Sequence, residues 1–167
     1  WALAAPVVLG GLLALLVLGA YTSASEAGFF CGKDWPLCNG SLLPEGRLPG
    51  IHMAHRYLAA FEGLLVLGLW ALSCRYRDRA TLLLQLATLN VALYGAQVLL
   101  GAIMIWTTLE DWVRVMHLLV GAMTWASTTV LTALLLRHGG WLTSVGCQTD
   151  RGVWRVGPVS VRKGASR

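Results

Sequence analysis

The feature that most constrains this chain is a set of four long stretches nearly free of charge. No Asp, Glu, Lys or Arg lies between Trp1 and Ser25, between Ala80 and Leu109, or between Val115 and Leu136. A further stretch, 52–73, carries only Arg56 near its start and Glu62 in its middle. A spanning helix needs about 20 apolar residues, so the sequence predicts four spans, at 2–22, 52–73, 80–106 and 115–136. Inside hydrocarbon the backbone must satisfy its own hydrogen bonds, and these Leu-, Val- and Ala-rich runs lack the alternation of barrel strands. The expected fold class is an all-α integral membrane protein, a four-transmembrane-helix bundle. Charged residues make up only 13 % of the 167 residues, against roughly 25 % in an ordinary soluble domain. Composition therefore excludes a disordered chain, a collagen, a coiled coil and an ordinary soluble enzyme. The expected organisation is a transmembrane domain over 1–138 and a basic, partly disordered tail over 139–167.

The connections differ in kind. Residues 23–50 form a long loop with three of the five prolines, whereas 74–79 and 110–111 are short. Nine of the thirteen Lys and Arg residues, Arg75, Arg77 and Arg79 among them, sit on the side of the second connection and the tail. Lys33, Arg47, Arg56 and Arg114 sit on the other side. The bias of basic residues toward the cytoplasm puts both termini inside the cell membrane, with loops 1 and 3 outside. The net charge of +5 then reads as a topology signal plus attraction to anionic membrane lipid; nucleic acid is not an expected partner.

Cys31 and Cys38 fall in the outward loop, while Cys74 and Cys147 fall on the cytoplasmic side. An oxidising exterior permits a Cys31–Cys38 disulfide; two unpaired thiols are the alternative. Such a bond would be structural or exchangeable. The pair offers too few ligands for a metal site.

Of the four histidines, His138 sits beside Arg137 at the cytoplasmic end of span 4 and reads as interfacial. His55 and His117 each lie about one turn inside the outer end of a descending span. An ionisable side chain within a span marks a functional site by default, and two imidazoles at one depth on two helices can ligate a haem iron from opposite faces. Ala59, Gly63 and Gly121 lie on the same helix faces, leaving room for a flat macrocycle or serving ordinary small-residue packing. Arg56 and Arg114 flank the histidines, either to fork haem propionates or to snorkel to headgroups. His52 precedes His55 by three residues and Glu62 follows it by seven, both on its face. Gln97 and Asn90 are the remaining deep polar groups, with interhelical hydrogen bonding favoured for Asn90.

These residues resemble the haem A synthase family. Loop 1 reads Cys31-Gly32-Lys33-Asp34-Trp35-Pro36-Leu37-Cys38-Asn39-Gly40, similar to that family's cysteine loop with its D-W-P-L-C-N-G ending. Span 2 opens with His55-Arg56, span 3 carries Gln97-Val98-Leu99-Leu100-Gly101, and span 4 opens with His117-Leu118. The resemblance runs from about residue 28 to 122, and the loop string is its most specific part. It implies oxidation of a methyl of haem O to the formyl of haem A, for terminal oxidases, by proteins usually built of two four-helix halves. This chain resembles the short, half-length members. Its cofactors would be haem b, or haem O and haem A as substrate and product. His55 and His117 would be the axial iron ligands, Arg56, Arg114, Gln97 and Gly121 would line the haem, and Cys31 and Cys38 would form the loop disulfide. A homodimer or higher homo-oligomer is expected, with haem O synthase or a terminal oxidase assembly as further partners. The family's active half has Glu three residues before the span-2 histidine; here His52 stands there, so His52 or Glu62 would take the catalytic role. A non-enzymatic bis-histidine b-type cytochrome, for electron transfer or haem carriage, is the alternative. A membrane thiol–disulfide oxidoreductase fits poorly, because Cys74 and Cys147 lie on the wrong side to relay to Cys31 and Cys38.

Overall fold

The computed structural model describes residues 3–75 and 81–146. They form α1 (Ala4–Ala24), a short 3-10 turn (Ala27–Phe29), α2 (Arg47–Arg75), α3 (Thr81–Trp106) and α4 (Asp111–Gly146). All four helices are long and apolar enough to cross a membrane. At a rise of about 1.5 Å per residue, the 21 residues of α1 nearly match the roughly 30 Å of a hydrocarbon core. The chain is a multi-pass, all-α membrane protein, a four-helix bundle as its uncharged runs predict.

The helix ends depart from the hydropathy bounds for local reasons. Helix α2 starts at Arg47 rather than near residue 52. Gly46 at φ 103° takes a left-handed turn that suits glycine. Pro49 then falls in the first turn, where a missing N–H costs no helical bond. Between α3 and α4, Thr108 and Leu109 both take positive φ (58° and 61°), and the Leu109 N–H donates to Met104 O at 2.8 Å. This tight reversal lets α4 begin at Asp111, whose carboxylate suits a helix N-terminus. Helix α4 runs on to Gly146, past the 136 expected from hydropathy, and its stretch Asp111–Arg137 is long and apolar enough to span. The connection at 76–80, Cys147 and the basic tail lie outside the described residues, as does the His138 side chain.

Each helix packs on two neighbours: α1 on α2 and α4, and α3 on α2 and α4. Helices α2 and α4 therefore face each other across the bundle diagonal. The end remote from loop 1 is filled by an aliphatic cluster of Val8, Leu12, Val66, Leu69, Leu131 and Leu135, closed above by Tyr94. Within that cluster, beside Val66 and Leu131, Thr128 Oγ1 donates to Asn90 Oδ1 at 3.1 Å, the interhelical bond expected of Asn90. Loop 1 folds over the other end. There the structure pairs Cys31 with Cys38, both fully buried, and packs them on Met53 of α2. The thiol of Cys74 is free.

Candidate functional site

The two spans that carry His55 and His117 run in the same direction, since one returning helix separates them. Both histidines sit in the loop-1 half of the bundle, half-buried, and within electrostatic range of each other. The Nδ1 atoms of both are buried without a hydrogen-bond partner.

Each imidazole is backed by a glycine of a neighbouring helix. A Cβ on Gly19 of α1 would come 3.0 Å from His55 Cε1, and one on Gly101 of α3 would come 3.4 Å from His117 Cε1. The rings occupy space that only a missing side chain leaves open. On α1, α2 and α3, the buried members of the aliphatic cluster come no nearer to this level than two helical turns: Leu12 is seven residues from Gly19, and Tyr94 seven from Gly101. Two buried imidazole nitrogens without hydrogen-bond partners, on diagonal helices and clear of the main aliphatic cluster, fit a planar metal macrocycle. Among the described residues there is no cluster of three or more His, Cys, Asp or Glu that would hold a bare metal ion instead.

The other expected site residues are distributed differently. His52 is buried, and its Nε2 lies 3.3 Å from Arg56 Nη2. Arg56 is turned up into loop 1, where Nη1 donates to the carbonyls of Asp34 and Pro36, both at 3.1 Å, and to that of Leu37. Arg114 pairs with Asp111 at 3.2 Å, both side chains exposed. Glu62 is 0 % exposed, and neither carboxylate oxygen has a partner. It lies against Gly11 of α1, where any side chain would overlap the carboxylate. The small residues offered as room for a macrocycle are partly used by α3. The space at Gly63 takes the Tyr94 ring, whose hydroxyl donates to Ala59 O at 2.6 Å. The space at Gly121 takes the Gln97 amide, with Leu16 beside it. Gln97 Oε1 is buried and unpartnered. Sequence reasoning missed Gly11 and Gly19; the only signal for them was glycine at an eight-residue spacing in α1.

No family model matches the chain. Curated relatives do. The chain is 33 % identical over 127 residues to a heme A synthase of Bacillus mycoides. It is 32 % identical over 127 residues to that of Bacillus licheniformis, and 29 % over 126 residues to that of Geobacillus thermodenitrificans. The chain is a relative of the haem A synthases. The match takes in 74 % of this chain but only 40–41 % of each relative, so the chain spans about two fifths of the length of the haem A synthases it matches. The string resembling that family's cysteine loop, residues 34–40, lies directly over the α2 turn that carries His52, His55 and Arg56.

Proposed function

We propose that this chain binds haem between His55 and His117 and works as a haem A synthase-like membrane oxidoreductase, taking haem O toward haem A. The observation that carries the reading is the diagonal pair of imidazoles, each backed by glycine and each with an unpartnered Nδ1. When bound, the haem would bring the redox chemistry, and in haem O the methyl that is oxidised. The chain's own residues do the rest. His55 and His117 would hold the haem iron. Gln97, with a free buried carbonyl, presents an acceptor from α3. Arg56 gives its hydrogen bonds to backbone carbonyls with the Asp34 carboxylate nearby, and its remaining donors would suit the propionate end at the mouth; Arg114, tied to Asp111 in an exposed pair, contributes less. Gly121 supports the site by seating Gln97 rather than by facing the macrocycle. Glu62, sealed from water and without a partner, is the group available to hold or pass a proton on the inner side, and His52 is its counterpart on the outer side. Loops 1 and 3 face the outside, both termini face the cytoplasm, and the active assembly is a homo-oligomer in anionic lipid, supplied by a haem O synthase or delivering to a terminal oxidase.

One observation favours a b-type cytochrome as the second reading. His52 stands where the resembled family has Glu, and it is engaged with Arg56 rather than free.

Purified protein in nanodiscs is expected to show the absorbance of a six-coordinate, low-spin haem, abolished by His55→Ala and by His117→Ala. A spectrum intact in both variants overturns the haem reading. Mass spectrometry of the organic extract, after co-expression with a haem O source, separates the two functions. Hydroxylated or formyl haem supports the oxidoreductase, and haem b alone in a fully loaded preparation supports the cytochrome.

A further inference from the structure

The contacts of Arg56 are unusual for an arginine at a membrane surface. Its Nη1 faces three backbone carbonyls, those of Asp34, Pro36 and Leu37. All three belong to the ring closed by Cys31 and Cys38, which are seven apart in sequence. The ring is held by bonds within it and to the residues that follow it. The Asp34 N–H donates to Cys31 O at 3.3 Å, the Gly40 N–H donates to Asp34 Oδ2 at 2.9 Å, and Cys38 and Ser41 exchange two bonds at 3.0 Å. The loop thus forms a cup of carbonyl oxygens, and the guanidinium sits in it as a bound cation would. The other nitrogen, Nη2, touches buried His52 at 3.3 Å. One turn of α2 therefore carries His52, Met53, His55 and Arg56, and it is fastened to the loop twice: by Met53 packed with the buried Cys31 and Cys38 and by Arg56 in the cup.

We infer that Arg56 is a positioning residue, the latch through which the Cys31–Cys38 ring fixes the α2 turn bearing His55. The inference rests on the haem reading for its consequence, but not for the latch itself. A planar guanidinium with five donors is needed, because one nitrogen must serve several carbonyls while another meets an imidazole. Closing the ring holds the carbonyls in convergence; opening it lets them part and leaves the guanidinium without its cup. The disulfide then acts on the iron site through one side chain rather than by capping it.

Hydrogen exchange on haem-free protein in nanodiscs tests the latch directly. With the disulfide intact, Arg56→Gln is expected to speed exchange of the Asp34, Gly40 and Ser41 amides by at least about tenfold, the ratio for one lost charge-assisted bond of about 1.4 kcal/mol. Arg56→Lys, which keeps the charge but not the fork, falls between, and it carries the test should the Gln variant fail to fold. On haem-loaded protein, the low-spin electron paramagnetic resonance signal reports the orientation of the axial imidazoles. It is expected to shift in Arg56→Gln and in Cys31→Ser/Cys38→Ser alike, and to shift no further in the triple variant. Exchange within twofold of wild type in both Arg56 variants, or disulfide and Arg56 effects that simply add, overturns the latch. Should the histidine variants keep their haem spectrum while the exchange result stands, the haem reading falls and the latch survives.

Discussion

The two ends of this bundle are built from the same four helices on opposite plans. Remote from loop 1, Leu69 of α2 and Leu131 and Leu135 of α4 interlock with Val8 and Leu12 of α1. Beneath loop 1, those same helices present His55, His117 and Gly19, and α3 adds Gln97 and Gly101. In lipid there is little water to expel between helices, so association comes from close packing and a few hydrogen bonds. The aliphatic end supplies that packing. It holds the helix axes in place, which lets the other end keep imidazole and amide groups without protein partners. One end assembles the bundle and the other uses the space between the helices.

The sharpest way to break this division is to damage each end and ask which property fails. Losing either histidine is expected to remove bound haem while leaving the haem-free bundle folded. Leu131→Ala, at 1 % exposure, is expected to do the reverse. A truncation of this kind costs roughly 2–5 kcal/mol in a water-soluble core. With lipid as the reference the transfer part of that cost shrinks, and about 2 kcal/mol of packing loss is expected. Unfolding in mixed micelles measures the loss, and the haem content of the folded fraction is expected to match wild type. A haem deficit in Leu131→Ala equal to that of His55→Ala would mean that the two ends are not separable.

A finer test compares the two glycines that back the imidazoles. At Gly19 an added Cβ comes 3.0 Å from His55 Cε1, so Gly19→Ala must move the ring by a few tenths of an ångström. At Gly101 the corresponding 3.4 Å is ordinary contact. Overpacking of this sort costs about 1–3 kcal/mol. Gly19→Ala is expected to speed transfer of haem to an acceptor apoprotein by about tenfold, which corresponds to about 1.4 kcal/mol, and Gly101→Ala by less than about threefold. Equal effects would mean that the imidazoles are not seated against these glycines.

The sequence made one end of this comparison far more legible than the other. Charge-free runs fix the number of helices, and the order of the spans puts His55 and His117 toward the same end of the bundle, although α2 starts at Arg47, about five residues before the expected bound. Glu62 was visible as a lone acid in a span. Which helix face meets which neighbour was not visible. A helix apolar all round has no polar face to betray its rotation, so nothing in α1 says that Gly11 meets Glu62 or that Gly19 meets His55. The same gap left Gly63 and Gly121 open between room for a macrocycle and helix packing, and Tyr94 and Gln97 take those spaces. Arg56 was legible as a charge beside a histidine. Its partners were not, because loop 1 returns over α2 through contacts some twenty residues apart in sequence.

The smallest expected effect lies inside the aliphatic end. Asn90 and Thr128 are both buried, and their side chains share one bond of 3.1 Å, while Asn90 Nδ2 has no partner. Thr128 also donates back to Thr124 O at 2.8 Å, so its single hydroxyl proton is divided between a local and an interhelical acceptor. Thr128→Val keeps the shape and removes both options. Interhelical hydrogen bonds in membranes average about 0.6 kcal/mol, because the separated helices also find partners. A loss near that value is expected by unfolding in mixed micelles, with the haem spectrum unchanged. A loss above about 2 kcal/mol would mean that this polar pair, and not the aliphatic residues around it, carries the association of α3 with α4. The assembling end would then rest on a polar contact rather than on aliphatic packing, and the division between an assembling end and a working end would lose its physical basis.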